Sequence, residues 1–176
     1  SPFDIPDALE RDGAPPAFYV LLSGWMAIFG KSETATHSLT VVLSLLTIVA
    51  AWWFARRHAG PWAGGLAAAA MAVNPYLVTY ATATRNYALF ALLGVVAAGL
   101  ALDLLSDRGR YTHVALGVVL ALTMLAHAWG LFFTVALLGV LLVEALLGRD
   151  RILVQRSVVA GVVTAVVYAP WLPTFH

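Results

Sequence analysis

Two long runs of this sequence are nearly free of charge, and that decides the medium in which they fold. Residues 61–102 carry one formally charged side chain, Arg85, and residues 114–143 carry none. A straight helix over the second run would be about 45 Å long, half as long again as the roughly 30 Å hydrocarbon core of a bilayer. Each run is therefore expected to fold back as a hairpin. The first reverses between Asn74-Pro75 and Asn86, the second at "HAWG", residues 127–130. Composition agrees: 61% of residues are hydrophobic and 11% charged, where soluble domains have about 45–50% and 25%.

The expected fold class is all-α, a polytopic transmembrane helical bundle of about six spans. Apolar runs place these near residues 37–55, 62–80, 86–105, 112–127, 130–147 and 155–171. A further short helix is expected over 16–29, "PAFYVLLSGWMAIF", because proline is tolerated in a first helical turn. At about 21 Å it is too short to span. Phe18, Leu21, Leu22, Trp25, Met26 and Phe29 form an apolar stripe, as in a helix lying at the membrane surface; the alternative is an oblique start to the first span. Residues 1–176 thus form part of one transmembrane domain, with 1–15 an external loop and 37–171 the spans. Gly60 and Gly64 make a pair of small residues that lets helices approach closely.

Loop charges orient the bundle. The segments "ARRHAG", "SDRGRY" and "GRDRILVQR" hold Arg56, Arg57, Arg108, Arg110, Arg149, Arg151 and Arg156, seven of the ten basic residues. All fall at one end of the predicted spans, which the positive-inside rule makes cytoplasmic. Asp103, near Arg108, is expected to balance charge at that end. The opposite end receives residues 1–14, the Arg85 turn, the "HAWG" turn and "PWLP", with Arg11, Lys31 and Arg85 as basic residues. Chemistry is expected there, on the extracytoplasmic side of a cell membrane.

Other classes fall away. A net charge of +1 without a basic run gives no case for a nucleic-acid partner. The absence of cysteine excludes disulfides and thiolate metal sites. No His, Asp or Glu cluster has metal-site spacing and no glycine-rich phosphate loop occurs, so no cofactor is evident and the need for a divalent metal stays open.

The order "RDGAPPAFYVLLSGWMAIFGKSETATHSL", "NPYLVTYATATRNYALF", "LTMLAHAWGLFF" and "YAPWLPTF" resembles the bacterial polyprenol-phosphate-sugar-dependent glycosyltransferases of GT-C type. These are related to protein O-mannosyltransferases and to the lipid A aminoarabinose transferase. The likeness covers nearly the whole chain as an internal fragment. It implies a sugar donor linked to polyprenyl phosphate, an acceptor of unspecified kind, and inversion at the anomeric carbon. It also implies that the first span, the catalytic acidic pair and the later spans lie outside these 176 residues, the pair upstream of Ser1, so that the piece alone is not expected to transfer sugar. Two departures stand out: Ala14 precedes the double proline where the family often has a polar residue, and Thr82-Ala83-Thr84-Arg85 replaces a "QEAR"-like string, keeping the arginine but not the glutamate.

Arg85 is the first candidate. A lone cation in so apolar a setting points to function, and a planar guanidinium suits the oxygens of a donor phosphate; the alternative is an arginine that snorkels to the interface. His127 could donate to a phosphate or an acceptor hydroxyl, or could be a structural residue at a helix end. Tyr87 joins them as a donor-phosphate ligand, although Tyr80, Tyr87 and Trp129 are read first as aromatics of an interface belt. Asp12 is the best-placed carboxylate within the sequence for a catalytic role, or else caps the short helix. The competing functional classes are a transporter or flippase, which would place its polar groups near the midplane, and a structural membrane subunit.

Overall fold

The computed structural model describes residues 16–175. The described chain is helical from end to end: α1 (Ala17–Phe29), α2 (Glu33–Ala59), α3 (Pro61–Ala72), α4 (Pro75–Ala81), α5 (Tyr87–Leu105), α6 (Thr112–Ala126), α7 (Gly130–Leu147) and α8 (Arg151–Tyr168), closed by a 3-10 turn over Ala169–Phe175. Among the described residues, four segments are long and apolar enough to cross a bilayer: Glu33–Ala59, Tyr87–Leu105, Gly130–Leu147 and Arg151–Leu172.

The expected span over 62–80 is not one helix. α3 stops after 12 residues and α4 runs for only 7, because Asn74 leaves the helix and caps the next one. Its Oδ1 accepts from the backbone N–H groups of Tyr76 and Leu77 at 2.9 and 3.3 Å, and Pro75 occupies the first turn, where a missing N–H costs nothing. α6, at 15 residues, reaches about 22 Å, short of the length that the four longer segments attain.

Much of the bundle's apolar surface faces outward. At most 39% of the most apolar stretch of any candidate span is buried, and Trp62, Leu66, Phe132 and Val166 face outward. Such a surface in water would be an aggregation site; against lipid tails it is the favourable face. Between the helices, leucines such as Leu116, Leu120 and Leu141 are buried alongside small and hydroxylated residues, which let the backbones approach closely. A Cβ on Gly64 would lie 2.7 Å from Arg56 Cβ, and one on Gly117 would lie 2.6 Å from the Ala160 carbonyl. Of the Gly60/Gly64 pair, Gly64 alone allows the close approach of α3 to α2, while Gly60 (φ 91°), with nothing within 4 Å of an added Cβ, makes the turn between them. Buried Thr40, Thr47, Thr123 and Thr164 return their hydroxyls to carbonyls of their own helices. Thr164 also donates to Gly117 O across α6/α8 at 3.1 Å.

Of the stripe expected on α1, Phe18 is buried and Leu22 and Trp25 pack inward, while Leu21 and Phe29 face out. The Trp25 indole donates to Ala35 O at 2.9 Å and anchors α1 on α2.

All three arginine-rich loops lie at one end. Asp103 is buried there, but its partners are not Arg108. The Arg57 Nε and His58 Nε2 atoms lie 2.9 and 3.0 Å from Asp103 Oδ1, because α2 and α5 end side by side. The Arg108 guanidinium donates instead to Arg57 O, and Arg156 pairs with Asp107. These contacts tie α2, α5 and α8 together at the basic end.

Candidate functional site

The opposite end gathers the turns that connect α4 to α5 and α6 to α7. Helix α4 delivers Tyr76 and Tyr80, one turn apart on one face, with ring centroids 4.6 Å from each other. The chain reverses over 82–86, and α5 returns with Tyr87 against Tyr80 at 4.2 Å and Phe90 one turn further on. His127, where α6 ends, sits between α5's two rings, 5.2 Å from Tyr87 and 5.1 Å from Phe90. The two turns are thus brought together, as the sequence candidates require.

Arg85 stands at the open edge of this aromatic cluster. Its Cζ lies 5.5 Å from the Tyr87 ring centroid, a cation–π distance. Its side chain is exposed, and among the described residues no carboxylate pairs with it. The positive charge is available to an anion from outside.

His127 is held in one tautomer. The Trp129 N–H donates to its Nδ1 at 3.1 Å, so the neutral ring carries its proton on Nε2. Burial pushes the imidazole below its usual range, which favours that neutral form. The ring therefore offers a hydrogen-bond donor and not a second cation. Gly130 makes the turn feasible: a Cβ there would lie 2.3 Å from Thr123 O.

Next to the His127 turn opens an apolar groove of about 540 Å³ between α6, α7 and α8. Met124 and Leu131, on either side of the turn, line it together with Leu138, Ala165 and Leu172, and Thr134, Thr164 and Tyr168 are its polar members.

A family model described as dolichyl-phosphate-mannose-protein mannosyltransferase matches residues 13–173. The chain belongs to this family. No curated protein and no solved structure matches it. Membership makes the chain a multi-pass membrane glycosyltransferase, and the family's name refers to mannose carried on dolichyl phosphate.

The chain keeps Arg85, Tyr87 and His127 in one cluster, while Asp12 lies outside the described residues. Sequence reasoning missed Tyr76, Asn86 and Phe90. The signal for the aromatics was present, since Tyr76/Tyr80 and Tyr87/Phe90 have the i,i+4 and i,i+3 spacings that bring helical side chains together. Among the described residues no group of His, Asp and Glu is arranged to hold a metal ion.

Proposed function

We propose that this protein moves a sugar, mannose in the first instance, from a polyprenyl-phosphate carrier to an acceptor on the extracytoplasmic side of the cell membrane. The observation that carries the proposal is an unpaired, exposed Arg85 on an aromatic cluster that also holds a neutral, donor-competent His127. Arg85 receives the donor phosphate, His127 Nε2–H adds a hydrogen bond to it, and Tyr87 holds the guanidinium. The isoprenoid chain lies in the apolar groove that starts beside His127.

In transfer, the acceptor oxygen bonds to the anomeric carbon as the bond from that carbon to the phosphate oxygen breaks. The electron pair leaves with the lipid phosphate, whose charge Arg85 steadies. The hydroxyl proton goes to a carboxylate. Asp12 is the candidate that the sequence itself supplies. About six membrane crossings, with the broken α3–α4 pair and the short α6 included, put the Arg85 and His127 turns outside and the arginine-rich loops inside.

One experiment tests side and ligand together. The sequence has no cysteine, so single cysteines at Thr84, Gly109, Ala128 and Asp150 can be probed with an impermeant thiol reagent on oriented vesicles. Thr84 and Ala128 are expected to react from outside, and Gly109 and Asp150 are not. Polyprenyl-phosphate mannose should slow labelling at the two reactive positions, whereas uncharged polyprenol should not. Outside labelling of Gly109 would invert the bundle; equal protection by polyprenol would leave only lipid partition.

A further inference from the structure

Asn86 has an unusual assignment for an asparagine next to a helix. It occupies the N-cap position of α5, where its residue type ordinarily accepts from backbone N–H groups of the first turn. Here its backbone is already helical (φ −64°, ψ −9°) and its side chain makes no such bond. The amide is turned the other way: Nδ2 donates to Ala126 O at 2.8 Å, across 40 residues of sequence.

That carbonyl needs a partner. Ala126 is the last residue of α6, and the chain turns extended at His127 (φ −156°, ψ 143°), so no following turn of helix reaches back to it. Ala126 is fully buried, in a cluster with Phe18, Leu43, Ala88 and Leu89, so water is a poor substitute. One side chain, half-buried, thus closes α6 and fastens its end to the turn that carries Arg85 and Tyr87.

We infer that Asn86 is a positioning residue of the donor site, setting His127 against Tyr87 and Phe90 so that the imidazole N–H and the Arg85 guanidinium face one ligand. The inference rests on the donor reading above. Its neighbours explain why the bond is specific. Arg85 on one side points to the open edge and Tyr87 on the other is committed to the ring cluster, which leaves the Asn86 amide as the polar link between the two turns that the structure shows. An error of about 1 Å in such a placement can cost up to a hundredfold.

The test measures geometry and binding separately. Spin labels on cysteines at Thr84 and Ala128, in the membrane-reconstituted protein, report the spacing of the two turns by dipolar spectroscopy. The native protein should give one narrow distance distribution. Asn86→Ala and the isosteric Asn86→Asp, which loses the donor, should both broaden it and weaken binding of polyprenyl-phosphate mannose about tenfold. Ser23→Ala, on α1, whose hydroxyl bonds to Val20 O within its own turn, serves as control and should change neither. An unchanged distribution in both Asn86 variants overturns the tether. Broadening with donor affinity unchanged overturns the positioning role. The donor reading itself fails separately, if Arg85→Ala leaves affinity intact.

Discussion

Arg85→Ala is expected to weaken binding of polyprenyl-phosphate mannose, and with it transfer, about 30-fold, while the folded protein is recovered in native amounts. The magnitude corresponds to roughly 2 kcal/mol, the low end of what losing one partner of a charge-assisted pair costs; the low end applies because Arg85 is exposed. Arg85→Lys should recover only part of the loss, since an ammonium keeps the charge but neither the two-pronged contact with phosphate nor the stacking on Tyr87. A snorkelling arginine makes the opposite forecast. Lysine would then serve equally well, and alanine would affect insertion more than affinity. Isothermal titration of the three proteins in nanodiscs distinguishes the two roles.

Gly117→Leu should remove most of the folded protein. A Cβ at that position already meets Ala160 O at 2.6 Å and Val163 Cβ at 2.7 Å, so α6 and α8 must separate, and the Thr164 hydroxyl loses its hold on Gly117 O. Overpacking of this kind costs about 1–3 kcal/mol, and backbone in the way puts this site at about 3. The control is Gly139→Leu on α7, where nothing lies within 4 Å of the added atom. That variant should elute from size exclusion as native does. Equal behaviour of the two variants would mean that α6 and α8 are not packed on their small residues.

The sequence was informative where a single physical cause dominates. Hydrophobic run length is enough to require reversals near residues 74–86 and 127–130, because no bilayer accommodates the straight alternatives, and both reversals occur there. Arginine spacing likewise groups three loops at one end. What escaped were outcomes of competition between partners. Asn74 and Asn86 are the same residue type beside a helix start, yet one caps its own helix and the other caps a helix 40 residues away; only the packed bundle decides which acceptor or donor lies nearer. Asp103 followed the same rule. Arg108 is closer in sequence, but parallel ends of α2 and α5 deliver Arg57 and His58 first. Run length alone also overestimated the 62–80 span, since apolarity continues straight through the Asn74-Pro75 break.

In the proposed function a lipid-linked sugar docks on the Arg85–Tyr87–His127 rim with its chain in the neighbouring groove. A photoreactive analogue of polyprenyl-phosphate mannose, with diazirines near the phosphate and along the isoprenoid, addresses this directly. After irradiation of the reconstituted protein and peptide mapping, label from the phosphate end should fall on residues 82–90 and 127–130. Label from the chain should fall on the groove segments around Leu131, Leu138 and Ala165, with both signals suppressed by excess unlabelled donor. Competable labelling confined to the arginine-rich loops at 56–60, 106–111 and 148–151 would contradict the account, because it would put the donor at the opposite end of the bundle.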